Sequence, residues 1–267
     1  MTRYTLAISV LAFGCSRAAD GVGAGANHTA TSPPGDPASS ASTLDHSDQA
    51  PRDEGEARSA PALRDADIRW DQNPVMRRLG KMGATMTDTK YSYGFRVDER
   101  KGVYQFDCSG MTYWVLKKAA PRAAAALAWK LDHRPLARDI YRRIASIPAD
   151  RNRHGWLRIA RVDALEPGDV VAWIKPKVIR SPNTGHVGFV VLPPLAVPGY
   201  VNAHLVRIAD SSRLLHDEDT RVGRDGFGMG TILLVSDPDT GAPIAYGWVG
   251  LNWRSFETDI ALGRALE

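Results

Sequence analysis

The chain is 267 residues long, with a formal net charge of +4, 24% charged residues and only two cysteines. That length supports one domain with a full core, and the cysteine count, with no clustered Cys/His spacing, leaves no pattern for a structural zinc or other metal. The basic balance suits a polyanionic partner, but no nucleic-acid motif is present, so neither DNA nor RNA is expected as that partner.

The N-terminus reads MTRYTLAISVLAFGCSR, with Arg3, an apolar run from Leu6 to Phe13, then Gly14 and Cys15. The run is too short to span a membrane and has the form of a secretory signal over residues 1–15. It resembles a bacterial lipoprotein signal, which implies lipidation of Cys15 as the new N-terminus and a membrane contact through that anchor only. Cleavage by an ordinary signal peptidase, leaving a soluble periplasmic protein, stays open. With Cys15 lipidated, Cys108 has no disulfide partner, and a lone thiol in an oxidising compartment is a liability unless it has a use. Residues 16–66 are rich in Ala, Ser, Gly, Pro and Asp and poor in large apolar side chains, the composition of a flexible tether. The tether holds four arginines against eight acidic residues, so the part after residue 66 carries 29 basic and 22 acidic residues. For an exported protein that balance favours an anionic bacterial wall, with a merely solvated basic surface as the equal alternative.

In the folded part, residues 67–267, the spacing of Val75, Met76 and Leu79 predicts a short helix over 73–82. The stretch TDTKYSYGFRVDERKGVYQF shows no sustained period. A second helix is predicted over 108–120: Asp107 is a good N-cap, Met111, Trp114 and Val115 recur at helical spacing, Lys117 and Lys118 suit the C-terminal dipole, and Pro121 ends it. Residues 122–146, Ala-rich and then Arg-rich, continue as helices. After them the period changes to short β-branched runs, DVVAWI, HVGFVVL, HLVRIAD, TILLVS and PIAYGWVG, between Gly and Pro turns. Helices first and strands afterwards predict an α+β fold with a mostly antiparallel sheet. The run FGMG at 227–230 reads as a plain turn.

Cys108, in VYQFDCSGMTYWVL, therefore sits at a helix N-terminus, where unpaired N–H groups and the dipole favour thiolate and could hold an oxyanion. Gly110 leaves room for close approach. A small buried hydrophobe is the competing reading, of equal weight on position alone. Of the seven histidines, His186 in NTGHVGFVV has the setting of a base, at a strand start after a polar turn. His216, in a loop full of acids, reads as solvated. The strand HLVRIADSS ends at Asp210, whose carboxylate an antiparallel neighbour would bring beside His186. His204 shares Asp210's face but is ~20 Å along the strand, and reads as an ordinary strand residue.

The order FDCSG, LEPGDVVAW, TGHVGFVV and a strand ending in Asp-Ser-Ser resembles the NlpC-type cell-wall cysteine peptidases, a papain-like α+β family, over roughly residues 73–250. The resemblance implies a catalytic triad of Cys108, His186 and Asp210, the last a variant of a position often held by histidine. It also implies that Tyr91, in KYSYGF, shapes the oxyanion or substrate pocket and that Asp107 and Ser109 contact the stem peptide. Phe95 stands where the family usually has a second glycine. The implied activity is a cysteine hydrolase cleaving peptidoglycan stem peptides at γ-D-glutamyl bonds to a diamino acid, without a cofactor and as a monomer. An amidase reaction by the same triad, a thiol acyl transfer, and a non-hydrolytic wall-binding lipoprotein on the same fold are the alternatives. The 78-position separation of Cys108 and His186 exceeds the family's usual spacing because 119–162 is inserted. That insert is expected to wall the cleft, bind anionic glycan, or merely cover the sheet.

Overall fold

Residues 63–149, 151–248 and 254–267 are described by a computed structural model. The expected signal segment, Cys15 and the tether through residue 62 lie outside the described residues. Residues 63–66, expected to close the tether, belong to the fold: Leu63 packs on the core, and Asp65 accepts two 2.8 Å hydrogen bonds from the buried Arg207 guanidinium.

Helix α1 (Pro74–Thr85) starts where Asn73 caps the backbone N–H of Met76 and Pro74 occupies the first turn, as helix starts favour. It buries Val75, Met76, Leu79 and Met82. The stretch without visible period folds as β1 (Asp88–Lys90), β2 (Arg96–Asp98) and β3 (Val103–Gln105), a small sheet of order β1-β3-β2 with β1 parallel to β3. At three residues each, these strands are too short to show an alternation. Helix α2 (Cys108–Ala119) follows, then α3 (Pro121–Ala128) and α4 (Ala137–Ala145) in the insert, and β4 (Trp156–Ile159).

The remaining strands are β5 (Val170–Ile174), β6 (Gly185–Val190), β7 (Leu195–Ala196), β8 (Ala203–Ser212), β9 (Gly226–Ser236), β10 (Pro243–Trp248), β11 (Arg254–Glu257) and β12 (Ile260–Ala265). With β4 they form one sheet of order β11-β10-β9-β8-β6-β5-β12-β4, with β7 beside β8, and all its pairings are antiparallel. The α+β class with a mostly antiparallel sheet is thus observed. The segment FGMG is not a turn: it lies inside β9, with Gly228 opposite Asp210 and Gly230 opposite Ile208.

Both faces of the sheet are covered, which is why its strands read as nearly continuous apolar runs. Val170, Ala172, Val187 and Phe189 face the helices, while Val171, Trp173, Val190 and Ile208 build a second core with Ile232, Leu234 and Tyr246. Helix α4 lies over β5, β6 and β12, so the insert covers the sheet. The LEPGD stretch is a tight turn into β5. There Gly168 adopts φ +96°, which L side chains rarely take, and the Pro167 carbonyl accepts from Asn73 Nδ2 at 2.8 Å.

Candidate active site

Strands β6 and β8 pack against α2, which begins at Cys108. The thiol is the first residue of α2 and only 5% exposed. Asp107 closes the helix start, its Oδ1 accepting from Gly110 N–H at 2.6 Å and its backbone carbonyl from Met111 N–H at 2.9 Å. Ser211 Oγ, near the end of β8, donates to the Phe106 carbonyl at 2.7 Å and ties the approach to α2 onto that strand.

Strands β6 and β8 set the distance between the other two predicted residues. Their register pairs Phe189 with Ala209 and Val190 with Ile208, and alternation places His186 and Gly188 on one face. A Cβ on Gly188 would meet the Asp210 Cβ at 3.2 Å, so this glycine makes room for the carboxylate. His186 Nε2 then lies 2.5 Å from Asp210 Oδ2, and Trp173, its register partner on β5, places its indole 5.0 Å from the imidazole.

His186 retains its proton far above the usual imidazole range. Burial opposes its charge, but the negative charge on Cys108, the hydrogen bond to Asp210 and a hydrogen bond to the thiol outweigh it and raise its pKa from 6.5 to about 10. Asp210 is fully buried. Desolvation pushes its carboxyl up, yet His216 and His186 hold it well below the usual carboxylate range. The predicted residues Cys108, His186 and Asp210 are therefore brought together.

The site holds more than the sequence reading found. His216, expected to be solvated, is buried with its Nε2 2.8 Å from the same Asp210 Oδ2. Arg221, entirely buried, places Nη1 2.8 Å from Asp210 Oδ1 while its Nε and Nη2 grip Asp219 at 2.8 and 2.6 Å. That contact with Oδ1 is one of charge rather than an aligned hydrogen bond: Nη1 donates to the Gly226 carbonyl at 3.2 Å, and Oδ1 has no hydrogen-bond partner. The glycines of β9 explain how these side chains fit, because a Cβ at Gly228 would meet Arg221 Cγ at 2.3 Å and one at Gly230 would meet His216 Cβ at 2.5 Å. Ligand atoms of His186, Asp210 and His216 lie within 4.8 Å of one another. A cation there would displace both histidine bonds and sit beside a guanidinium, so the geometry describes an ion-pair network rather than a metal centre.

The three residues expected to contact substrate fare differently. Tyr91 is half-buried, and its hydroxyl is pushed up first by burial and next by the negative charge on Cys108, which puts it near that thiol. The Arg213 guanidinium lies over its ring, 5.1 Å from the centroid. Asp107 and Ser109 are engaged with Arg134, from the loop between α3 and α4: Nη2 donates to Asp107 Oδ2 at 2.8 Å and Nη1 to Ser109 Oγ at 2.9 Å. The space beside Gly110, expected to admit a substrate, is bounded by this guanidinium, 3.1 Å from where a Cβ would stand. Nothing in the run LDHRPLARD distinguishes Arg134 from the other basic residues of the insert.

No protein-family model, curated protein or solved structure compared with this chain matches it.

Proposed function

We propose that this protein is a cysteine hydrolase of peptidoglycan stem peptides, exported and tethered through Cys15. The observation that carries this reading is the placement of the His186 imidazole, bonded to the buried carboxylate of Asp210 and next to the thiol of Cys108. An acid-base pair of this kind activates a thiol, and a buried carboxylate on its far side fixes the ring. Cys108 Sγ attacks the amide carbonyl, and His186 passes its proton to the leaving amine. Water, deprotonated by the now neutral ring, then opens the thioester. Asp107 caps Gly110 and Met111, which leaves the N–H groups of Cys108 and Ser109 as oxyanion donors, with Tyr91 beside them. The substrate class rests on the FDCSG, PGD and GHVG resemblance and on the basic balance of the folded part.

The decisive experiment is muropeptide release from purified wall, read by mass spectrometry, for wild type and Cys108→Ala. Release by the wild type and its loss in the variant, with circular dichroism unchanged, is expected. Activity that survives the substitution excludes the reading. Product masses separate γ-D-glutamyl cleavage from amidase cleavage.

One observation favours the non-hydrolytic wall-binding reading: Cys108 is 5% exposed, and Arg134 occupies its neighbours Asp107 and Ser109. In that case the wild type pellets with wall and releases nothing.

A further inference from the structure

His216 plays no part in the thiol chemistry above, yet it is buried against the same carboxylate oxygen as His186. Its other ring nitrogen identifies its protonation state. Trp248 Nε1 donates to His216 Nδ1 at 3.3 Å, and an indole N–H is only ever a donor. Nδ1 must then be a bare acceptor, so the ring is neutral and its single proton is on Nε2, directed at Asp210. One carboxylate oxygen has two lone-pair directions and takes both imidazoles.

We propose that His216 is a positioning residue: fixed by Trp248 as the neutral Nε2–H tautomer, it holds Asp210 Oδ2 toward His186 without competing for the carboxylate's charge. The inference rests on the thiol–imidazole reading of Cys108 and His186. The charges around Asp210 show why neutrality matters. Arg221 faces Oδ1, His186 faces Oδ2, and Asp219 balances Arg221. A charged His216 would add a third cation to a single buried carboxylate and weaken its hold on the ring that acts on Cys108. The site is shaped for this side chain: Gly230 in β9 leaves the volume its Cβ needs, and Asp219 Oδ2 accepts from its backbone N–H at 2.8 Å.

Two measurements on the full chain test this. The first is imidazole 15N correlation spectroscopy near neutral pH, with His216→Gln and His186→Gln giving the assignments. His216 is expected with Nε2 protonated and Nδ1 bare, and Trp248→Phe is expected to shift the Nδ1 resonance. A doubly protonated or Nδ1–H ring in the wild type overturns the proposal. The second is alkylation of Cys108 by iodoacetamide at pH 7. His216→Ala is expected to slow it about tenfold, and His216→Gln, which restores an N–H donor, to recover the rate to within about threefold of wild type. A folded His216→Ala that reacts at the wild-type rate overturns the proposal. Should that variant not fold, the wild-type spectrum and the Gln variant decide. Labelling that also ignores His186→Gln removes the thiol–imidazole reading itself and the inference with it. His186-dependent labelling with the wrong His216 tautomer removes the inference alone.

Discussion

Asp210 is the residue on which the site balances. Its carboxylate is fully buried and meets His186, His216 and Arg221 within 2.8 Å. Removing one member of a buried ionic cluster costs about 3–5 kcal/mol because the remaining charges stay desolvated. Asp210→Asn keeps the shape and loses the charge, so a destabilisation of about 3 kcal/mol is expected, seen as a lower urea midpoint, together with slowed iodoacetamide labelling of Cys108. An unchanged midpoint would mean that the cluster is open to water. Asp107 allows a similar separation of effects. Asp107→Asn can keep the cap on Gly110 but weakens the Arg134 pair, whereas Asp107→Ala loses both; with a cap at about 1 kcal/mol, the alanine variant is expected to be the less stable by about that amount. Cys108 and His186 were legible in the sequence because each opens a periodic segment, and Asp210 because it closes the apolar run HLVRIAD, although the strand itself continues through Ser212.

At the scale of elements, the β6–β8–β9 ladder sets the site through its glycines. Gly188 faces Asp210, Gly228 faces Arg221 and Gly230 faces His216. Gly228→Ala is expected to push Arg221 off Asp210, since the new methyl would meet Cγ at 2.3 Å, where neither the strand nor the base of the side chain can yield easily. The expected result is a loss of about 2–4 kcal/mol by chemical denaturation, in the range of overpacking compounded by a broken buried pair. Gly188→Ala, with its closest contact at 3.2 Å, is expected to be milder in stability but to slow Cys108 labelling, because the atom it displaces belongs to Asp210. Read locally, FGMG has the composition of a turn. It is a strand because β8 pairs with it residue by residue from Ser211 to Ile208, and tertiary pairing overrides local preference. The insert likewise combines two roles expected separately: α4 covers the sheet, and Arg134 reaches the first turn of α2.

For the whole molecule, the opposite shifts of His186 and Asp210 predict a bell of stability against pH. His186 holds its proton more tightly when folded, about 10 against 6.5, so its contribution is complete below about 6.5 and is lost as pH rises through about 10. The fall can reach ~1.4 kcal/mol per pH unit for one proton. Asp210 is depressed from 3.8, so its contribution is complete above that value and is lost as pH falls toward the folded value. Urea midpoints measured from pH 3 to 10 are expected to peak between about 4 and 6.5, and His186→Gln is expected to flatten the alkaline limb. An alkaline limb that survives in this variant would assign the effect to other groups. Read alone, the chain specifies the helix start at Cys108, the strands β5, β6, β8 and β10 with the second half of β9, and the antiparallel α+β class, because capping, period and turn chemistry act within a few residues of one another. That His216 and Arg221 complete the cluster, and that Arg134 covers Asp107 and Ser109, follows from the folded arrangement alone. A buried polar side chain keeps its place through partners supplied by other strands and loops, and neither its own neighbours in sequence nor its residue type reveals which partners those are.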